Sequence, residues 1–185
     1  MAKTPSNMIP LGTHAPEFSL IDVVSGSRVS LTDKSLPQPT VIMFICNHCP
    51  YVKHINKGLT SLANDYIPKG IRFLAINSND VSAYPSDSPD NMRKTAAEEN
   101  YPFPYLYDET QEVAKAYQAA CTPDFYVFND NLDLVYRGQM DDSRPGNNIE
   151  VSGEDIRSVL DALLNKKPIT IEQKPSLGCS IKWKN

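Results

Sequence analysis

The sequence predicts an α/β domain with a central mixed β-sheet flanked by helices. Three observations carry that expectation. Thr40 to Ile45 is an unbroken apolar run of the kind a strand shows when both its faces are buried. It is followed by a helical pattern, Val52, Ile55, Leu59, Leu62, Ala63 and Tyr66, and then by a second apolar run, Ile71 to Ile76. Strand, helix, strand in that order is a right-handed parallel crossover unit. Antiparallel pairs are expected on either side of it. Phe18 to Val23 and Arg28 to Leu31 flank the turn Ser25-Gly26-Ser27, an N-terminal hairpin extension. Asp124 to Phe128 and Leu132 to Arg137 flank Asn129-Asp130-Asn131.

The remaining segments follow from local chemistry. Met1 to Pro16 reads as extended and irregular, and Asp33 to Pro39 as a proline-containing loop. Pro50 suits the first turn of the helix after Cys49, where its missing N–H costs nothing, and Pro68 and Gly70 end that helix. Asn77 to Pro89 is a polar loop at the C-terminal end of a central strand, where open α/β sheets place ligands. Pro89 to Asn100 and Glu109 to Ala120 read as helices, and Tyr105 to Tyr107 as a short strand between them. Gly138 to Ser152 is a polar loop, and Gly153 to Leu164 is a last helix with Ile156, Val159, Leu160 and Leu163 on one face. Residues 1–164 therefore form the domain, and 165–185 a C-terminal tail packed on or near it.

Composition narrows the function classes. The 185 residues suffice for one well-buried domain, and 41% hydrophobic with 22% charged residues is ordinary for a globular protein. A formal net charge of −4 gives no basic surface for nucleic acid or anionic membrane. No run approaches the roughly 18 apolar residues of a membrane span, and Met1 to Pro10 lacks the pattern of a secretory signal. The expected compartment is the cytoplasm, where four cysteines suit catalysis or metal better than structural disulfides.

The chemistry concentrates at Cys46-Asn47-His48-Cys49-Pro50, between the buried strand and the helix. A helix start favours negative charge, and His48 adds a potential positive charge beside the pair. Both are expected to lower the pKa of Cys46, which makes Cys46 the nucleophile and Cys49, within the first helical turn, the resolving thiol. C-x2-C is also a zinc spacing, and Cys46, Cys49 and His54 can supply three ligands. The chain has no second C-x2-C, only the isolated Cys121 and Cys179, so disulfide exchange is expected, with no metal and no cofactor.

The strand-CxxC-helix unit, the Thr122-Pro123 pair before a hairpin and the βαβ order resemble the thioredoxin fold. That resemblance implies a cis Pro123 against the two cysteines, with its neighbouring backbone pairing with a substrate chain. Gly12-x-x-Ala15-Pro16-x-Phe18-x-Leu20 and the extra hairpin resemble the peroxiredoxin branch, the AhpC/TSA type. CNHCPYVKH, CTPDFYVF, YRGQMDDSRPGN and PSLGCSIKWK together resemble its peroxiredoxin-like, CxxC-containing members over nearly the whole chain. Two departures stand out. Peroxiredoxins carry P-x-x-x-T-x-x-C, and with Cys49 in the last place, Ile42 replaces the Pro and Cys46 the Thr. Thioredoxins carry a buried Asp six residues before the first cysteine and a Trp immediately before it, and here those positions are Thr40 and Ile45. The C-x-His-C form resembles protein disulfide isomerase and DsbA, which implies a couple less reducing than thioredoxin.

The expected function is thiol–disulfide exchange with protein or small-molecule substrates. The alternatives are a peroxiredoxin-like, antioxidant thiol peroxidase and a metal- or partner-binding protein on the same fold. Cys46, Cys49, His48 and Pro123 are the expected site residues. Thr122, Cys121, Cys179 and Arg137 are accessory candidates: Cys121 precedes the Thr-Pro pair, Cys179 can reach the site if the tail folds back, and Arg137 begins a loop that can flank it. Nothing in the sequence fixes an oligomeric state.

Overall fold

Strand β4 (Thr40–Phe44) is the axis of the fold: all five of its residues are buried. The computed structural model describes residues 3–33 and 38–184. Most of the predicted loop from Asp33 to Pro39 falls on residues 34–37, outside the described residues. In chain order the strands are β1 (Lys3–Pro5), β2 (Ser19–Asp22), β3 (Arg28–Ser30), β4, β5 (Arg72–Asn77), β6 (Tyr105–Tyr107), β7 (Cys121–Thr122), β8 (Asp124–Phe128), β9 (Leu134–Gly138) and β10 (Leu177–Ser180). The helices are α1 (Pro50–Tyr66), α2 (Pro89–Glu98), α3 (Glu112–Ala116) and α4 (Glu154–Leu164).

The main sheet has the order β3-β2-β6-β5-β4-β8-β9. β4 pairs parallel with β5, and β5 parallel with β6. β8 lies antiparallel to β4 and β9 antiparallel to β8, while the β2–β3 hairpin joins antiparallel at β6. The sheet is therefore mixed, with the parallel crossover at its centre and the two predicted hairpins at its ends.

Side-chain alternation along β4 divides the core. Val41 and Met43, with Ile45 beyond the strand, face α1 and α4, meeting Val52, Ile55, Leu59, Leu62, Ile156, Val159 and Leu160. Ile42 and Phe44 face the other way, onto Leu74, Ile76, Tyr117, Tyr126 and Phe128. Each such fully buried aliphatic is worth roughly 1.5–3 kcal/mol relative to exposure. The thiols Cys46 and Cys49 belong to the first of these two clusters.

Three local differences from the sequence expectation have visible causes. The helix expected over Glu109 to Ala120 shrinks to five residues. Gln111 takes a left-handed φ of 63° before it and Gln118 one of 51° after it. The Asp108 carboxylate accepts the Ala114 amide at 2.9 Å, so helix begins only where that carboxylate can serve its first turn. β9 starts two residues later than expected because Leu132, at φ 61°, still belongs to the turn. The N-terminal segment, read as extended and irregular, and the C-terminal tail join β7 in a second sheet of order β1-β10-β7. β10 lies antiparallel to both neighbours, with Cys179 opposite Thr122 on one side and Lys3 on the other.

Candidate active site

The loop between β4 and α1 carries the candidate site. Ile45 still donates to the Ile76 carbonyl, so Cys46 leaves the sheet one residue later. Cys49 is the N-cap residue of α1, with extended φ/ψ of −68° and 124°, and Pro50 opens the helix. Both thiols are buried, Cys46 at 2% exposure and Cys49 at 0%.

Thr122 faces both. Its Oγ1 lies 3.2 Å from Cys46 Sγ, and its carbonyl oxygen 3.2 Å from Cys49 Sγ. The Thr122-Pro123 bond is cis. Cys179 Sγ approaches Cys49 Sγ to 2.8 Å from β10. Cys49 thus sits among Cys46, Cys179 and the Thr122 carbonyl, while Cys46 borders the polar loop that follows β5.

That loop supplies a residue the sequence did not single out. Asp87, fully buried in the short 3-10 turn Pro85–Asp87, accepts the Asn47 amide at 2.8 Å, the Asn79 side-chain amide at 2.8 Å and His48 Nδ1 at 2.6 Å. Burial pushes the Asp87 carboxyl up, but hydrogen bonds from His48, Asn79 and Asn47 outweigh it and hold the group below the ordinary range. The only sequence signal was its place in the polar loop at the end of a central strand. His48 also stacks on Tyr84, with centroids 5.3 Å apart.

The electrostatics reverse one expectation. Cys46 was expected to have a lowered pKa, but its pKa is raised: its thiol donates toward Cys49, burial penalises its charge, and the Asp87 carboxylate repels it. Cys49 carries the lowered pKa, about 5. The Cys46 thiol is the main cause, and it outweighs burial. The Cys179 thiol and the Val52 amide add to it, although no full cap hydrogen bond to the sulfur is formed. Cys179 itself is pushed up to about 12, by burial first and then by Cys49.

The accessory candidates separate. Cys121 alternates with Thr122 along β7, so its side chain points to the opposite side; it contacts the Pro123 carbonyl at 3.7 Å, and burial raises its pKa. Arg137 does not begin a flanking loop. It lies fully buried in β9, paired with Asp124 at 2.8 Å and stacked 4.1 Å over Tyr126, on the sheet face away from the thiols. The zinc set drawn from sequence does not assemble either. His54 Nε2 lies 2.7 Å from Ser143 Oγ, and the one group of three candidate ligands among the described residues is Cys46, His48 and Asp87, within 4.8 Å of one another. Two of those three already bond each other.

Comparison with known proteins now decides the family. The AhpC/TSA family profile matches residues 11–137, more than half of the chain. The chain belongs to the AhpC/TSA family. Among solved structures it is similar to an uncharacterized conserved protein from Geobacillus kaustophilus, with 64% identity, coverage of 100% of this chain and 97% of that one, and a TM-score of 0.97. It is also similar to a hypothetical protein from Sinorhizobium meliloti 1021, at 44% identity, 98% coverage of each chain and a TM-score of 0.95. The thioredoxin domain of a thiol-disulfide oxidoreductase from Bacteroides vulgatus shares the fold, with a TM-score of 0.64 at 15% identity over 83% of this chain and 99% of that one. No curated protein matches. The fold is therefore thioredoxin-like, as the sequence implied. No described helix is long and apolar enough to cross a membrane.

Proposed function

We propose that this AhpC/TSA protein is a thiol–disulfide oxidoreductase whose redox pair is Cys46–Cys49. The observation that carries the proposal is the geometry of the β4–α1 turn: both buried sulfurs lie 3.2 Å from Thr122, Cys46 from its Oγ1 and Cys49 from its carbonyl oxygen, and the raised Cys46 and lowered Cys49 pKa support the direction in which the bond between them opens. In the oxidised protein a substrate thiolate attacks Cys46 Sγ. The Cys46–Cys49 bond breaks and its electron pair leaves on Cys49, whose low pKa makes it the better leaving group. A second substrate thiol then displaces Cys46 and completes the substrate disulfide. Two electrons pass from substrate to protein, and Cys46 takes up a proton. His48, held on Asp87 through Nδ1, has a ring nitrogen within 4.8 Å of Cys46, which supports it as the relay for that proton. In the opposite direction Cys46 gives up its proton and attacks the substrate disulfide, one substrate sulfur leaves as thiolate, and the Cys49 thiolate then attacks Cys46 Sγ and releases the second.

The test is trapping. With Cys49→Ser, oxidation by glutathione disulfide should leave a stable glutathione adduct on Cys46. With wild-type protein that adduct should be transient and give way to an intramolecular disulfide. Absence of the Cys46 adduct in Cys49→Ser removes Cys46 as the substrate-bonding sulfur.

Family membership and the Cys49 thiolate favour a second function, thiol peroxidase, with Cys49 attacking peroxide. Against it, Cys46 stands where that chemistry would place a Thr hydroxyl, and Cys49 is closed in by Cys179. Stopped-flow oxidation by hydrogen peroxide no faster than that of a free thiolate excludes it.

A further inference from the structure

We propose that Cys179 is a third redox thiol, held by β10 so that Cys49 can bond either Cys46 or Cys179 and the oxidised protein exchanges between the two disulfides. The inference rests on Cys46–Cys49 being a redox pair and goes beyond it.

The placement is built by several independent features. The two sulfurs lie 2.8 Å apart, less than 1 Å beyond a disulfide bond of about 2.05 Å. Closing that bond therefore needs only a small side-chain shift. β10 is fixed on both edges, with Cys179 opposite Thr122 in β7 and Lys3 in β1. Ser176 Oγ donates to the Pro123 carbonyl at 2.6 Å, and the Ile181 amide to the Ala120 carbonyl at 3.0 Å, so the strand is tied just before and just after the cysteine. Gly178 makes the approach possible: a Cβ there would overlap the Thr122 carbonyl and crowd the Pro123 ring. Strand alternation then points Cys179, not Ser180, at Cys49, just as it points Thr122, not Cys121, at the pair. A buried free cysteine with no role needs none of this.

The exchange balances without an outside reagent. Cys179, as thiolate, attacks Cys49 Sγ in the Cys46–Cys49 disulfide. The Cys49–Cys179 bond forms, the Cys46–Cys49 bond breaks, and the electron pair leaves on Cys46, which takes up the proton that Cys179 released. No net oxidation occurs. The product leaves Cys46 as a free thiol while locking β10 to α1 through a covalent bond.

Disulfide mapping tests this. Cys46 and Cys49 lie on one tryptic peptide, between Lys34 and Lys53, whereas Cys179 lies on another that ends at Lys182. Wild type, Cys46→Ser and Cys179→Ser are oxidised with glutathione disulfide, acid-quenched, alkylated and digested. Cys46→Ser should give the Cys49–Cys179 cross-linked peptide as its main oxidised product, and Cys179→Ser only the Cys46–Cys49 loop within one peptide. Gly178→Val, which pushes β10 off Thr122, should lose the cross-link and keep the loop. A Cys46→Ser protein that stops at a glutathione adduct on Cys49, beside a Cys179→Ser protein that still forms the loop, overturns the inference and leaves the redox pair standing. Failure of wild type to form either disulfide overturns the redox pair itself, and the inference with it.

Discussion

For the proposed Cys46–Cys49 redox pair, the lowered Cys49 pKa sets how the reduction potential should change with pH. A pKa of about 5, against an ordinary thiol near 8.5, means that Cys49 is ionised through neutral pH in the reduced protein while Cys46 keeps its proton. Reduction then takes up one proton for two electrons, and the potential should fall by about 30 mV per pH unit between about pH 6 and 8. Two ordinary thiols would give about 60 mV per unit. The same ionisation stabilises the reduced form at pH 7 by about 2 pH units, or about 2.7 kcal/mol, which makes the couple about 60 mV more oxidising than an unperturbed pair. The assay is equilibration of the Cys179→Ser protein, in which only the Cys46–Cys49 couple can close, against glutathione redox buffers at several pH values. The disulfide fraction is read by acid quench, alkylation and mass. Because glutathione loses two protons on oxidation over most of this range, the equilibrium constant between the two couples should move about tenfold per pH unit. A slope of about 60 mV per unit would show both thiols protonated. It would remove the thiolate at Cys49 and, with it, the physical reason to expect a weakly reducing couple.

Three further perturbations probe the surroundings. Thr122→Val removes the hydroxyl beside Cys46, which favours its thiolate; Cys46 alkylation at fixed pH should slow roughly tenfold, measured by mass spectrometry of the labelled peptide. Asp87→Asn should lower stability by about 1–3 kcal/mol in urea titration by weakening three buried hydrogen bonds. The wild-type advantage should be present above about pH 4 and vanish as pH falls through the lowered Asp87 pKa, because the unfolded carboxyl binds its proton first. Arg137→Met breaks a fully buried ion pair and should cost about 3–5 kcal/mol of stability while leaving glutathione exchange kinetics unchanged, since the pair lies on the far face of the sheet.

The centre of the fold was legible because its signals are local and strong. Thr40 to Ile45 has the composition of a doubly buried strand, and the spacing from Val52 to Tyr66 fixes one helix face, so β4, α1 and β5 fall where periodicity puts them. Thr122-Pro123 was legible only through its resemblance to a known arrangement; nothing in the local chain specifies a cis bond. The second sheet was illegible for the opposite reason. β1 is three residues long and β10 four, each too short to show alternation, and their pairing joins the two ends of the chain. Gly178 marks β10 only once its neighbour Thr122 is known. Asp87 was missed because a lone carboxylate in a polar loop looks solvated until the fold folds that loop over Asn47 and His48.

The misassigned charge at the thiol pair shows which physical quantity sequence spacing leaves out. Counting from sequence, His48 brings a positive charge to Cys46, and the helix start lies beside it. In the folded chain the helix begins at Pro50, one residue after Cys49, so the field of the free amides acts first on Cys49 and only at longer range on Cys46. Asp87, 2.6 Å from His48 Nδ1, brings a carboxylate that repels negative charge on Cys46. Both corrections act in one direction: they leave Cys46 protonated and place the negative charge on the sulfur that Cys46 and Cys179 both adjoin. A thiolate in that position is the common leaving group for either disulfide. Its low pKa therefore drains energy from both bonds alike and should leave the balance between Cys46–Cys49 and Cys49–Cys179 to the pKa difference between the two outer thiols. With Cys46 raised first by its hydrogen bond to Cys49 and Cys179 first by burial, neither of the proposed disulfides is favoured by ionisation at neutral pH, and the geometry of β10 should decide how the oxidised protein divides between them.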